Sequence, residues 1–428
     1  MTCIAGIDFG TSNSAVSVSV NSKEPELIKF DYNGRKYNTI PTVVSFCDDG
    51  RIVYGKEAIQ AYQDGDVTDR GRFIRSIKRI VSNNLHLHDS TRIGLKNVIF
   101  LDIVKKFFIF LKSHTEQEIG RPIDCVVIGR PVSFVDNNEK ADMETQQEIH
   151  KLATDIGFKN VIFQYEPIAA AFAYEQKINQ EKLALIVDIG AGTSDFSIIR
   201  MMPKSHNKRN RQHDILANTG INIAGNDFDY YFSLHSFMGY FGYNSKYKNS
   251  SLTLPNGIFH HLSNWTQYTP EEIITEMKKY ANAWIDAYDQ KSITRLRNIV
   301  TTYGKYDLLT KIENTKIYLS DKPEKKLNLD YGNDCAIQIS RDDLEIALLD
   351  AFHKIQDKIN ECITKAGINK EDIQSLIFTG GSSQIPLIQL NIINMFPHIT
   401  PENIIKTDVF SSVCMGLTYH GMNVWSNK

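Results

Sequence analysis

Cysteine is scarce and scattered in this chain. Its 428 residues include six, Cys3, Cys47, Cys125, Cys335, Cys362 and Cys414, and no two of them form a CxxC pair. That spacing excludes a zinc knuckle or a disulfide framework and fits buried thiols in a reducing compartment. An excess of one charge is also lacking: 48 basic residues against 50 acidic ones leave a net charge of -2, so no field steers the chain to nucleic acid or anionic lipid. No apolar run reaches the roughly 20 residues that a membrane helix needs. The nearest, Asn97 to Leu111, is broken by Asp102, Lys105 and Lys106. The N-terminus enters a strand pattern at once, without a basic segment ahead of an apolar one. The expectation is a cytoplasmic globular protein with neither nucleic acid nor membrane as partner. One local basic run, Lys204 to Gln212, reads as a solvated hairpin tip.

The length predicts two or three domains. Strand patterns fall at Ala5–Asp8, Ala15–Val20, Leu27–Phe30, Thr42–Phe46, Asp124–Ile128, Val161–Gln164 and Leu183–Asp188. Helical patterns cover Phe100–Ser113 and the segment PIAAAFAYEQK, where Pro167 sits in the first turn and its missing N–H costs nothing. This alternation predicts an α/β protein with parallel or mixed sheets covered by helices. From Phe228 to about Thr310 the composition shifts to Tyr, Asn, Ser and His, with helices expected at Pro270–Asp289 and Ser292–Ile299, and reads as an inserted subdomain. His260 and His261 are adjacent there. Neighbouring side chains diverge on a strand, which argues against a metal pair.

Two segments repeat one pattern. IAGIDFGTSNSAVSV starts at Ile4 and LALIVDIGAGTSDFSIIR at Leu183, and each places an aspartate two residues before a glycine, Asp8 before Gly10 and Asp188 before Gly190. A spacing of this length suits two similar lobes, each opening with a β-hairpin, and is too long for a solenoid. Glycine lets the chain pass close to a ligand, and successive backbone N–H groups in such a turn make an anion nest to which Thr and Ser hydroxyls add donors. The aspartate cannot hold a phosphate but can hold a hydrated Mg2+. Each hairpin is thus a candidate phosphate cradle: Asp8 with Gly10, Thr11, Ser12 and Asn13, and Asp188 with Gly190, Gly192, Thr193 and Asp195. A third turn, SLIFTGGSSQIPLIQL from Ser375, reads as strand, double glycine and helix with Ser382 or Ser383 as cap, able to carry an adenosine. NIAGNDFD, from Asn222, supplies one more glycine turn before a helix.

These motifs, in this order over nearly the whole chain, resemble the ATPase part of the Hsp70 (DnaK-type) chaperones within the actin, sugar-kinase and Hsp70 superfamily. YEPIAAAFAYE and AGNDFD are most similar to its short bacterial branch of YegD type. The resemblance implies an actin-like ATPase fold of two RNase H-like lobes around a central nucleotide cleft. Lobe I would span 1–182, completed by 405–428, and lobe II 183–404, with an enlarged upper subdomain at 226–341. It implies ATP or ADP with Mg2+ as cofactors. Asp8, Glu166 and Asp188 would organise the hydrated metal and the attacking water, and Thr11 and Thr193 would contact the transferring phosphate. Asp195 would help to hold a water or a monovalent cation such as K+. Lys78, in IRSIKRIV beside Arg75 and Arg79, falls where the family keeps its catalytic lysine. Gly10, Ser12, Asn13, Gly190, Ala191 and Gly192 would line the phosphates, and Gly225 and Asn226 would also contact the ATP. Glu313, Lys316, Ser320, Gly380, Gly381, Ser382, Gln384 and Ile385 would line the nucleoside.

The pattern departs from the family at four places. Ile317 and Gln384 replace two arginines that sandwich the adenine, a loss of about 1 kcal/mol for each stacking face. Ala191 stands in the middle of an expected triple glycine, and Ser411 stands where an acidic residue is usual. The sequence stops at Lys428 with no acidic-leucine linker or peptide-binding sandwich after the last helix. The expected activity is therefore a slow Mg-dependent ATPase switch, chaperone-related, whose output reaches an unidentified protein partner or client without a peptide-binding domain of its own. The alternatives are a nucleotide-sensing scaffold without hydrolysis, an actin-like filament and a small-molecule kinase.

Overall fold

Both glycine-turn segments fold as antiparallel hairpins, and each hairpin seeds a sheet. The computed structural model describes residues 3–67, 71–78, 88–135, 138–175, 178–203, 211–265, 270–302, 304–332, 335–406 and 412–425. In the first sheet Cys3–Phe9 pairs antiparallel with Asn13–Val20 and parallel with Cys125–Arg130, which pairs parallel with Asn160–Tyr165. In the second, Lys182–Ile189 pairs antiparallel with Ser194–Met201 and parallel with Ser375–Thr379, which pairs parallel with Ile404–Lys406. On the far side of each hairpin a further antiparallel strand follows, Glu26–Leu27 in one sheet and Ile215–Ile221 in the other. The two sheets share one order and sense of strands. This is an α/β actin-like ATPase fold.

The central strands are buried on both faces, as mixed sheets covered by helices require. Cys125–Arg130 and Ser375–Thr379 have no exposed residue. The helix Phe100–Ile119 turns Ile103, Val104, Phe107, Phe108 and Leu111 into the first core, and Phe107 and Phe108 meet the ring of Phe9. The last helix, Ser412–Trp425, also packs on the first sheet. Ser17 Oγ donates to Cys414 O at 2.8 Å, and Tyr419 stacks on Phe172 of the Glu166–Glu175 helix. All six cysteines are free thiols, and Cys335 alone is not buried.

The described chain separates into two compact units, Met1–Ile221 with Lys358–Ser383 and Ile393–Lys428, and Asn222–Asp357 with Gln384–Ile392. The second unit is mainly helical around an aromatic core in which Phe228, Phe232, Phe237, Phe241, Phe259 and Trp284 are all buried. These phenylalanines and Trp284 are interior packing, whereas Tyr240 of the same segment is half-buried and Tyr288 is exposed.

Several local expectations are corrected. Leu27–Phe30 is not one strand, because Phe30–Tyr32 leaves the first sheet to pair with Arg35–Tyr37. Asn33 and Gly34, at φ 52° and 75°, make the two-residue turn that this hairpin needs. Pro270–Asp289 is two helices, Pro270–Lys279 and Ala281–Ile285, because the Trp284 indole takes the Met277 carbonyl at 2.8 Å. His260 and His261 lie on a helix, Gly257–Ser263, not a strand, and Tyr230 Oη meets His260 Nδ1 at 2.7 Å. Of the basic run Lys204–Gln212, residues 204–210 lie outside the described residues. Arg211 is not a solvated tip: it is buried against Glu175 and Asp214.

Candidate functional site

The first loop is built by a reversal too sharp for a side chain. A Cβ on Gly10 would stand 2.2 Å from the Asn13 carbonyl oxygen. The fully buried Thr42 pins the loop from outside: its hydroxyl donates to Gly10 O at 2.8 Å and its N–H to Ser12 O at 2.7 Å. Because that hydroxyl donates to Gly10, Ser14 Oγ donates to Thr42 Oγ1, also at 2.8 Å. Ser12 Oγ, by contrast, is buried without a hydrogen-bond partner. Leaving such a group unpaired costs about 1–3 kcal/mol, and a phosphate oxygen is the kind of acceptor it lacks. Thr11 and Asn13 are half-buried on the same turn.

The second loop runs from Gly190 to Thr193, closed by the Gly190 N–H donating to Thr193 O at 3.1 Å. Ala191 and Thr193 are half-buried and Gly192 is buried. Its flanking strands set Asp188 opposite Asp195 on one side and Thr379 on the other. The third turn comes up against the second. Gly380 has φ +78°, and a Cβ there would lie 2.4 Å from Ile189 O and 2.6 Å from Asp188 Oδ1. Ser383 is not a helix cap: its hydroxyl and N–H both donate to Gly380 O, within a single 3-10 turn Gly381–Gln384.

Charge concentrates where the two hairpins end. Glu166 is the first residue of its helix and buried, and Lys78 Nζ donates to its Oε1 at 2.8 Å. Burial, reinforced by the Glu166 charge, pushes the Asp8 carboxyl up to about 7 against the pull of Lys78. Burial followed by the charges of Glu166 and Asp195 raises Asp188 well above the usual carboxylate range. For Lys78 burial opposes the charge, but Glu166, Asp8 and Asp188 outweigh it and the pKa rises. One ammonium thus faces Glu166, Asp8 and Asp188, with Asp195 acting on Asp188. A cation is the group this donor set lacks. Among the described residues no three carboxylate, histidine or cysteine groups converge as direct ligands. Mg2+ keeps several of its waters and takes one or two carboxylates, so the donor set of Asp8 and Asp188 fits that ion.

The nucleoside candidates divide between the units. Gly380 and Ser382 belong to the first, with Ser382 buried and Gly381 exposed. In the second unit, Gly225 and Asn226 open the helix Gly225–Ser236, and the Asn226 Nδ2 is buried without a partner. Lys316 is also buried, its Nζ 2.6 Å from Asp229 Oδ1 and 3.0 Å from Gly225 O. The Trp265 indole donates to the other Asp229 oxygen at 2.9 Å. Burial, countered by Lys316 and aided by Glu313, pushes Asp229 up to about 6. Glu313 is half-buried, and Ser320 Oγ donates to Lys316 O at 3.2 Å. Ile385 is buried and Gln384 exposed, and Ile317 is 57% exposed. Ser411 and Arg79 lie outside the described residues.

Sequence reasoning missed Thr42 and Asp229. Nothing local marks Thr42, which acts on a loop about thirty residues away. Asp229 was in view within AGNDFD, but its partner Lys316 is 87 positions on.

A family model described as Hsp70 protein matches residues 4–246 and 281–420. Among curated proteins, the chaperone protein DnaK of Mycoplasmoides gallisepticum is 23% identical over 408 residues, covering 95% of this chain and 58% of that protein. The DnaK proteins of Thermosipho melanesiensis and Thermosipho africanus are 25% and 24% identical, each over 92% of this chain and 55% of their own length. The chain spans little more than half the length of these relatives. With the family model matched over most of its length, the chain belongs to the Hsp70 family.

Proposed function

We propose that this chain binds ATP or ADP with Mg2+ and slowly hydrolyses ATP as a chaperone-related conformational switch. Lobe I, 1–182 with 405–428, and lobe II, 183–404, would be its moving parts. The observation that carries this reading is the Lys78–Glu166 pair at 2.8 Å in the field of two half-buried aspartates, each two residues before a phosphate-loop glycine. Family membership supports it independently, since Hsp70 proteins are adenine-nucleotide ATPases.

The parts divide the work. Loop N–H groups and Ser12 Oγ hold phosphate oxygens, an anion nest with one added donor. Lys78 places a positive charge where the γ-phosphoryl group develops charge, and Glu166 holds that ammonium in line and accepts a hydrogen bond from the attacking water. Asp8 and Asp188 would hold Mg2+ through its waters, and the ion would supply positive charge to the phosphates. Asp195 is a seat beside Asp188 for water or K+. The switch would signal to a protein partner or client in the cytoplasm. The test pairs calorimetry with a phosphate-release assay: slow, magnesium-dependent release is expected, lost in Lys78→Ala or Asp188→Ala while nucleotide still binds. Wild-type release no faster than that of Lys78→Ala removes the catalytic assignment.

A second reading rests on the exposed Ile317 and Gln384, which offer no guanidinium face to a base. It makes the chain a nucleotide-sensing scaffold, and tight binding with no phosphate release selects it.

A further inference from the structure

The sheet face that carries Asp188 has a second polar row beside it. Asp188 is opposite Asp195, and Asp195 opposite Gly220; two residues along, Ile186 is opposite Ser197, and Ser197 opposite Asn218. Side chains two apart on a strand share a face, so Asp195 neighbours Ser197, and Gly220 neighbours Asn218. A Cβ on Gly220 would lie 2.8 Å from Asp195 Oδ1, and glycine leaves that space to the carboxylate. Ser197 Oγ donates to Asn218 Oδ1 at 2.8 Å. The amide carbonyl is thereby engaged, which leaves the two N–H donors of Asn218 for the space it lines.

That space is a cavity of about 10 Å3 whose walls include Glu166, Asp188, Asp195, Ser197 and Asn218. Its size is that of one water, and a buried water needs two to four polar partners, which these walls supply. Asparagine suits the position: it accepts from Ser197 and donates to water without adding charge to a carboxylate-rich site.

We propose that Asn218 is a positioning residue: it holds one water in this cavity, and the water fixes Asp195 beside Asp188. The role in turnover rests on the hydrolytic reading above; the water site does not. Crystals of the nucleotide-free protein test the site directly. One ordered water within hydrogen-bond distance of Asn218 and Asp195 is expected in the wild type and none in Asn218→Leu, and a wild-type cavity without it overturns the proposal. Turnover tests the role. Asn218→Ala lowers kcat about tenfold, the worth of one hydrogen bond, with KM for ATP unchanged, and Asn218→Ser, which keeps a donor, recovers most of the loss. Wild-type turnover matched by Asn218→Ala overturns the positioning role alone. A wild type without turnover overturns the role together with the hydrolytic reading, and the crystal density still decides the water site.

Discussion

Replacing Lys78 by methionine removes an ammonium while keeping most of the side chain's length. The pair it leaves is nearly enclosed, with Lys78 14% and Glu166 11% exposed, so the screening that makes surface pairs nearly worthless is absent. Taking one partner from a buried pair costs about 3–5 kcal/mol. The carboxylates soften that cost by taking up protons, since burial and the Glu166 charge already hold Asp8 near 7 and Asp188 well above the usual carboxylate range. Without Lys78 both rise further, so ionising them opposes folding more strongly at high pH. The deficit in nucleotide-free stability is therefore expected to be larger at pH 8 than at pH 6, measured by denaturant melts at each pH. In phosphate release under saturating MgATP the variant is expected to be slower by about 10²–10³, the effect of losing one donor to developing charge. A variant that hydrolyses at the wild-type rate, or whose deficit shrinks as pH rises, refutes the placement of Lys78 among these carboxylates.

Asp8→Asn works in the opposite direction. The folded state holds the Asp8 proton more tightly than the unfolded chain, about 7 against an ordinary 3.8, so wild-type stability falls as pH rises between those values. The variant is expected to flatten that slope and to gain at most on the order of 4 kcal/mol at neutral pH; equal slopes in pH-resolved denaturation refute it. Gly10→Ala drives a Cβ to 2.2 Å from Asn13 O, whereas Gly190→Ala meets nothing nearer than 3.7 Å. About 1–3 kcal/mol of strain is expected to weaken nucleotide binding in the first and spare the second, and equal calorimetric affinities contradict this. Arg211 is 6% exposed and bonded to Glu175 and Asp214. Arg211→Met is expected to destabilise by about 3–5 kcal/mol, with Glu175→Leu in the same chain recovering part of it, and an unchanged melt is the contrary result.

The parts of the fold legible in the sequence were those written in short-range patterns. Each hairpin could be read from alternation around one Asp-x-Gly turn, and the repeat of that turn matches two sheets with the same strand order. Boundaries set by tertiary contacts were not legible. Trp284 ends a helix by reaching back to Met277 O, and Arg211 looked like a solvated charge because Glu175 is 36 residues away. The Asn33–Gly34 pair is itself a short-range signal of the two-residue turn between Phe30–Tyr32 and Arg35–Tyr37. Within the candidate site, the glycines and aspartates stood out by spacing. Thr42, Asp229 and Asn218 did not, because each acts across a sheet or between helices on residues far along the chain.

The most direct measurement is calorimetric titration of the wild-type chain with MgATP and MgADP, repeated with the metal chelated. Saturable heat that collapses without magnesium and in Asp188→Ala is expected if the two glycine turns grip a magnesium-bound phosphate chain. No heat and no melting shift with any adenine nucleotide, at ample magnesium, contradicts that grip.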